Sequence, residues 1–199
     1  MAVMTGQGHP VYGLVHGLAD RHPDLTLEFS RYIHLGPGRT LSREIVQVPA
    51  KCVDVGWVED QTLRLSDRQE LALHSRALRG DMAFHIPMVD FAHVDSIPTL
   101  LSRMQPVRRQ LPVDITLYNS GRSLHGYHFC LISEGEWYRY LGSLLLCNNP
   151  GAELVDSRWV GHSLEHGFSA LRWSCNSEIY ESLPEMVDLE PYLSARTWQ

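Results

Sequence analysis

The sequence predicts an α/β fold of the α+β type, in which one sheet carries helices on one face. Two observations lead to this class. First, 44% of the 199 residues are hydrophobic, enough for a sizeable core. Second, strand and helix patterns alternate in the order β-α-β-β-α from residue 82 onward. We expect one domain, 1–199, made of an N-terminal α/β extension (1–80), a core (81–180) and a C-terminal tail (181–199).

Three elements are predicted in the N-terminal extension. The alternating apolar residues of 43–48 indicate a strand that ends at Pro49, and those of 52–58 indicate a second strand. The stretch 66–80 favours a helix, because its first residue is a serine that can cap a helix and a glutamine follows three residues later. A glycine at the end of this stretch is a typical helix stop.

The core begins with an apolar strand at 82–92, which Pro87 marks as irregular. The other predicted core elements are, in chain order, a helix at 96–110 weakened near Pro106, strands at 113–118 and 123–132, a helix at 134–147, and short strands at 153–156 and 167–173. Together they predict a sheet with helices packed on it.

Composition narrows the function classes. The formal net charge of −6 argues against a general basic coat for nucleic acid, although a local basic groove stays compatible with it. No window has the roughly 18 to 20 apolar residues of a membrane helix, and the N-terminus lacks a secretory pattern, so we expect a cytoplasmic protein without membrane contact. The four cysteines contain no C-x-x-C pair, which leaves a zinc ribbon unsupported.

Two carboxylates end apolar stretches of the core. Asp90 closes the strand predicted at 82–92, and Asp156 closes the one at 153–156. If both strands finish at the same end of the sheet, the two carboxylates could hold Mg²⁺ or Mn²⁺, which prefer oxygen ligands. Each carboxylate could equally be solvated or structural.

The stretch LYNSGRSLHGYHF contains polar groups where packing would favour valine or isoleucine. Because side chains alternate along a strand, Ser123 and His125 point to one face and His128 to the other. A hydroxyl beside an imidazole could form a nucleophile pair or bind phosphate, and Arg122 with the backbone of the turn would suit an anion. A polar strand face in a solvated groove is the alternative. Arg172, inside an apolar strand, needs a carboxylate partner or an anion.

Three stretches, in order, carry a family resemblance: MVD at Met88–Asp90, SGRSLH at 120–125, and VDSRWVGHSLEHGFSALRWSCN at 155–176. Together they resemble the archaeo-eukaryotic primase superfamily, whose members have an acidic motif on a strand, then Ser-x-His, then a second acidic motif. The resemblance covers residues 82 to 176 and rests on the ordered set, since each motif is short. It implies an RRM-like primase catalytic core with a mixed or antiparallel sheet.

The resemblance also implies a function, that of a nucleotidyltransferase which polymerises NTPs or dNTPs on a single-stranded nucleic acid template. It makes Asp90 and Asp156 the catalytic ligands of Mg²⁺ or Mn²⁺. The residues that it assigns to the nucleoside triphosphate are Ser123, His125 and Arg172, with Arg122 as a further contact. The chain has no helicase module of its own, so a helicase or other replication or defence proteins are expected partners.

The sequence departs from this family at two points. The first family motif is usually Asp-x-Asp, whereas the second position here is Ala92, and RWSCN lacks the proline and glycine of the family's later strand. Losing one of three carboxylates should weaken binding of two metals. A catalytically impaired primase-like protein that binds nucleotide or nucleic acid with a partner is therefore the main alternative.

Two hydrolase interpretations are also open. HSLEH, 162–166, matches the H-x-x-E-H pattern of some zinc hydrolases, which needs a helix and a further acidic ligand such as Glu178 or Glu181. The flanking Gly161 and Gly167 favour a loop with incidental histidines instead. A serine hydrolase built on Ser123 would lack the G-x-S-x-G turn.

Overall fold

The computed structural model of the chain describes residues 8–34, 40–93, 96–104 and 115–193. Within these ranges the strands are β1 (Leu25–His34), β2 (Thr40–Pro49), β3 (Gln69–Arg79), β4 (Met82–His85), β5 (Met88–Asp90), β6 (Ile115–Asn119), β7 (Leu124–His128), β8 (Ala170–Arg172) and β9 (Glu185–Met186). The helices are α1 (His16–Arg21), α2 (Val55–Leu63), α3 (Ile97–Met104), α4 (Glu134–Leu146), α5 (Ser157–His166) and α6 (Glu190–Leu193). A π-helical turn at Val11–Val15 leads into α1, and a 3₁₀ turn at Ala50–Cys52 precedes α2.

The described strands form two antiparallel sheets, which confirms the expected α+β class. The first sheet has the order β2-β1-β3-β4, and β8 also pairs with β3. The second has the order β5-β7-β6-β9. A hydrogen bond of 3.1 Å from the Trp173 indole to the Tyr127 hydroxyl joins the segment after β8 to β7, so the sheets share a buried boundary.

The helix predicted at 66–80 is wrong, because the chain forms β3 there. Ser66 and Gln69 make only half of the contact that suggested a cap: the Ser66 N–H donates to Oε1 of Gln69 at 2.9 Å, but the Gln69 N–H donates to the Ser66 carbonyl at 3.1 Å. That contact closes a turn which opens a strand. β3 then pairs with β1, β4 and β8, and its residues 70–75 are all buried. This pairing overrides the helical pattern of the local sequence.

The strand predicted at 52–58 is also wrong. Asp54 caps α2, and its carboxylate accepts a hydrogen bond of 2.8 Å from the N–H of Trp57. Val53 and Val58 contributed to the alternation that suggested a strand. Both are buried, Val53 before the cap and Val58 within α2. The strand predicted at 43–48 is confirmed as part of the longer β2.

Pro87 divides the predicted strand 82–92 between the two sheets. β4 pairs with β3 after a two-residue turn, and β5 pairs with β7 of the second sheet. The order β5-α3-β6-β7-α4 then follows the predicted β-α-β-β-α pattern. Residues 105–114 of the predicted helix and strand lie outside the described residues.

The second sheet has apolar residues on its two faces. Val89, Leu117 and Leu124 pack with α3, α4 and α5, and α4 begins at a Ser133–Glu136 capping box. Tyr118 and Tyr127 point to the opposite face, toward the first sheet. The expected C-terminal tail supplies β9, which pairs with β6. Among the described residues, no helix is long and apolar enough to cross a membrane.

Candidate active site

Asp90 and His125 lie on paired strands of the second sheet, and Asp156 joins them from the start of α5. The strand predicted at 153–156 is wrong, since that stretch forms only an isolated bridge through Val155. Asp90 is the last residue of β5 and pairs with His125 on β7. Directly after it, Phe91 forms an antiparallel bridge with Val155, and the Asp156 N–H donates to the Asp90 carbonyl at 3.0 Å. Backbone pairing therefore brings the two predicted carboxylates together, from segments 66 residues apart in sequence.

A tight turn between β6 and β7 holds Ser123 against Asp90. The Ser120 hydroxyl donates to the Ser123 carbonyl at 2.8 Å and accepts from the Ser123 N–H at 3.2 Å. Ser123 in turn donates its hydroxyl proton to Oδ1 of Asp90 at 3.0 Å. The predicted alternation is seen in β7, because His128 lies on the opposite side, with its ring 5.9 Å from that of Tyr140 on α4.

This turn requires glycine at position 121. Gly121 has φ +80, and a Cβ there would lie 2.6 Å from the Ser182 nitrogen. Gly80 also has a positive φ, of +56, but open space around its Cα. Gly121→Ala should therefore reduce the free energy of unfolding by the left-handed backbone cost of about 1–3 kcal/mol plus an overpacking cost of about 1–3 kcal/mol. Chemical denaturation should show a smaller loss for Gly80→Ala, and equal losses would contradict the close approach.

Arg172 is a buried cation beside the turn, with only 3% of its surface exposed. Its Nη2 donates to the carbonyls of Ser120 and Ser182, and its guanidinium carbon lies 3.9 Å from the centroid of the Tyr180 ring. Among the described residues, neither Nε nor Nη1 has a hydrogen-bond partner, and the side chain forms no ion pair. Because buried donors are normally satisfied, the two free N–H groups suit an anionic ligand.

The surroundings of Asp90 destabilise the charged form of its carboxyl group. Burial is the main cause that raises its pKa to about 7, and the neighbouring charge of Asp156 raises it further. The Ser123 hydrogen bond and the charges of Arg122 and Arg172 act in the opposite direction. A divalent cation between the two carboxylates would remove the repulsion that raises this pKa.

We expect Asp90→Asn to be more stable than the wild type at neutral and alkaline pH. Since the pKa of Asp90 rises from 3.8 to about 7 on folding, the folded state keeps a proton that the unfolded state has lost. Wild-type stability should therefore fall as pH rises from about 4 to about 7, with no such contribution in the variant. Urea unfolding across this range, with a chelator present, measures the difference. Parallel pH profiles for both proteins would contradict the raised pKa.

His125 is neutral at physiological pH. Burial, and next the charge of Arg172, lower its pKa to about 3. Its Nε2 lies 3.9 Å from Oδ1 of Asp90. Because the ring is neutral, the two residues do not form an ion pair at neutral pH. Its Nδ1 has no hydrogen-bond partner among the described residues. A neutral imidazole in this position can donate one N–H to a ligand without adding charge.

Asp156 is the N-cap of α5 as well as a neighbour of Asp90. Its Oδ1 accepts hydrogen bonds from the N–H groups of Arg158 at 2.8 Å and Trp159 at 3.2 Å. The cap fixes the carboxylate and leaves Oδ2 for another partner. The positive end of the helix dipole stabilises its charge.

Similarity to a known protein family covers most of the chain. A family model described as archaeo-eukaryotic primase 1D-like matches residues 50–185. The chain belongs to this primase family. No curated protein and no solved structure matches it. The matched range contains all the predicted site residues, whereas β1 and β2 precede it.

This primase-like protein has two carboxylates, those of Asp90 and Asp156, at the positions where the family's acidic motifs stand. Ala92 stands at the second position of the usual Asp-x-Asp motif, with its N–H bonded to the Leu154 carbonyl at 3.0 Å. His93 is exposed, and Asp95 lies outside the described residues. Asp90 and Asp156 carry the carboxylate oxygens that Mg²⁺ and Mn²⁺ prefer as ligands.

Replacing Asp156 should separate its capping role from its charge. Asp156→Ala removes the α5 cap and should lower the free energy of unfolding by about 0.5–2 kcal/mol, whereas Asp156→Asn keeps a capping oxygen and should lower it less. Asp54→Ala, which removes the α2 cap, is the matched control. Thermal denaturation tests the order, and an Asn variant as unstable as the Ala variant would show that Asp156 does not stabilise α5 as a cap.

Sequence reasoning missed several residues that build the site. Tyr180 and Ser182, which contact Arg172, lie in a stretch without regular pattern. Glu70, fully buried, accepts hydrogen bonds from Ser174 and from the N–H groups of Asn176 and Ser177. The RWSCN stretch thus holds the start of β3 in place. The helix predicted at 66–80 gave no indication of this contact. Arg122 is exposed, and acts on Asp90 through its charge.

Proposed function

We propose that this primase-family protein is a nucleotidyltransferase of the primase and polymerase type, which uses a divalent metal and NTPs or dNTPs on a single-stranded template. The observation that carries the proposal is the convergence of two carboxylates with a buried arginine around one turn. Asp90 and Asp156 supply carboxylate oxygens, whereas Arg172 offers two nitrogen donors without a partner among the described residues. The carboxylates suit the metal of a metal-bound triphosphate, and the arginine donors suit its phosphates.

Asp90 and Asp156 would hold Mg²⁺ or Mn²⁺, which when bound supplies charge neutralisation for the phosphates and activation of the attacking hydroxyl. Ser123 keeps Oδ1 of Asp90 in a fixed orientation. The α5 cap does the same for Asp156. Because both carboxylates are fixed before the ligands arrive, little reorganisation is needed on binding.

The triphosphate would bind to the positive side of the site. Arg172 can donate from Nε and Nη1 while Nη2 stays bonded to the two carbonyls. His125 can add one neutral N–H. Ser123 lies against Asp90, and exposed Arg122 can reach from the turn. Charge-assisted hydrogen bonds from a buried guanidinium are the strongest contacts in this set.

The template would lie along the sheet beside these residues. The net charge of −6 means that basic contacts must be local. Arg103 on α3 donates to the Glu153 carbonyl at 3.1 Å, which gives it a structural role, and Arg108 and Arg109 lie outside the described residues. Partner proteins such as a helicase would supply further grip on nucleic acid.

Nucleotide incorporation on a primed and an unprimed single-stranded template, with Mg²⁺ or Mn²⁺, tests this proposal. We expect metal-dependent product from the wild type and a large loss in His125→Ala. Binding of labelled nucleotide should be measured on the same samples. Absence of product with every metal, nucleotide and template would reject the polymerase proposal.

A second candidate is a catalytically impaired protein that uses the same groove to bind nucleotide or nucleic acid with a partner. Ala92 favours it, because the family usually has a carboxylate at that position. Metal-dependent nucleotide binding that Arg172→Met weakens, without incorporation, is the result expected of such a protein. Ala92→Asp would then be a direct attempt to restore the missing ligand.

A further inference from the structure

Three side chains with metal-ligand chemistry share one face at the end of α5. The stretch 162–166, which the sequence favours as a loop, is helical, so that expectation is wrong. Gly167, with φ +76, ends the helix instead of interrupting it. Residues three and four apart lie on the same helical face. His162, Glu165 and His166 therefore come together, and their ligand atoms all lie within 4.8 Å of one another.

The hydrogen bonds of this cluster fix how the imidazoles can bind. Nδ1 of His166 lies 2.7 Å from the His162 carbonyl, so this nitrogen carries the proton and donates it. Nε2 of His166 is then the nitrogen with a lone pair, and the backbone acceptor increases its basicity. Nδ1 of His162 lies 3.3 Å from Oε2 of Glu165. The carboxylate and the two rings thus lie close enough to share one ion.

We propose that His162, Glu165 and His166 form a zinc-binding site on the surface of α5. Two imidazoles and a carboxylate are ligands that Zn²⁺ takes in proteins, with a water in the fourth position. Mg²⁺ prefers six oxygen ligands and is a poor match for this set. The position also favours a cation, since the negative end of the helix dipole lies at the last turn of α5.

This site is separate from the one at Asp90. Asp156 caps the first turn of α5, while the zinc ligands occupy its second half, and the ten-residue helix is about 15 Å long. An ion that joins His162, Glu165 and His166 would hold the final turns together and so stabilise the helix that Asp156 begins. Within the described residues, neither Glu178 nor Glu181 joins this cluster. The further acidic ligand that the hydrolase pattern needs is thus absent from this cluster, so we propose a binding site without hydrolysis.

Isothermal titration of the full chain with ZnCl₂ tests the site, with millimolar Mg²⁺ present to occupy Asp90 and Asp156. We expect one zinc ion per chain that Mg²⁺ does not displace. His166→Ala and Glu165→Gln should each weaken the affinity by at least about tenfold, the lower end of what loss of a partner in the outer shell costs. His16→Ala, which removes an exposed histidine of α1, is the matched control and should bind as the wild type does.

Thermal denaturation gives an independent measurement. Zinc should raise the melting temperature of the wild type, of His16→Ala and of Asp90→Asn, but not that of His162→Ala with His166→Ala. Wild-type zinc binding that survives in this double variant would overturn the proposal, as would the absence of zinc binding by the wild type. Loss of binding in Asp90→Asn would assign the zinc to the other site and would equally overturn it.

Discussion

Asp90→Asn should reduce metal-dependent nucleotide incorporation by about 10²- to 10³-fold or more, the size of the loss when one preorganised electrostatic group is removed. The amide keeps the shape of the side chain and can still accept the hydrogen bond from Ser123. It carries no charge, so it cannot neutralise the cation that the phosphates require. Single-turnover incorporation at saturating nucleotide measures the loss.

The same variant should be at least as stable as the wild type, because it lacks a partly buried carboxylate whose pKa is raised to about 7. Loss of activity together with retained stability would separate a catalytic role from a folding role. Asp24→Asn is the matched control. Asp24 accepts a hydrogen bond from Arg79, the last residue of β3. Ala72, which pairs with Arg172 of the site, lies near the other end of this strand. If both variants incorporate nucleotide at the wild-type rate, Asp90 is not a metal ligand.

Some elements of the fold could be predicted from the sequence and others could not. Elements whose local pattern agrees with their tertiary position were predictable: α4 has a capping box and an apolar face, and the β6–β7 hairpin has a tight turn. β3 was not predictable, because it is buried by pairing with strands from both earlier and later in the chain. Its apolar spacing is equally compatible with a helix, and only the pairing partners decide between them.

The candidate site also combines residues that could be predicted from the sequence with residues that could not. Asp90, Ser123 and His125 stand at a strand end or beside a turn, and Asp156 begins a helix. At each place a polar residue next to an apolar run is visible in the sequence. Tyr180 and Ser182 have no such signal, since they come from an irregular segment that contacts Arg172 and the β6–β7 turn. Their role depends on the long-range approach of Ser182 to Gly121, which no local pattern encodes.

Arg172→Met should weaken nucleotide binding by about 10- to 150-fold, since a hydrogen bond to a charged group contributes about 1.5–3 kcal/mol. Methionine fills much of the space above the Tyr180 ring without supplying a donor. The two carbonyls that accept from Nη2, those of Ser120 and Ser182, would lose a partner, so a moderate loss of stability should accompany the loss of affinity. Nucleotide titration by fluorescence anisotropy, below the melting temperature of the variant, separates the two effects.

Arg122→Met is the matched control, because it removes the same charge from an exposed position of the same site. Solvent screens an exposed guanidinium, so the loss of affinity should be small and should shrink further as salt is added. The effect of Arg172→Met should persist at high salt, since its guanidinium is buried. If the two variants lost affinity equally, or if added salt removed the effect of Arg172→Met, the anion would not lie against the buried donors. The charge of the groove as a whole would then explain binding, and the unused donors of Arg172 would have only a structural role.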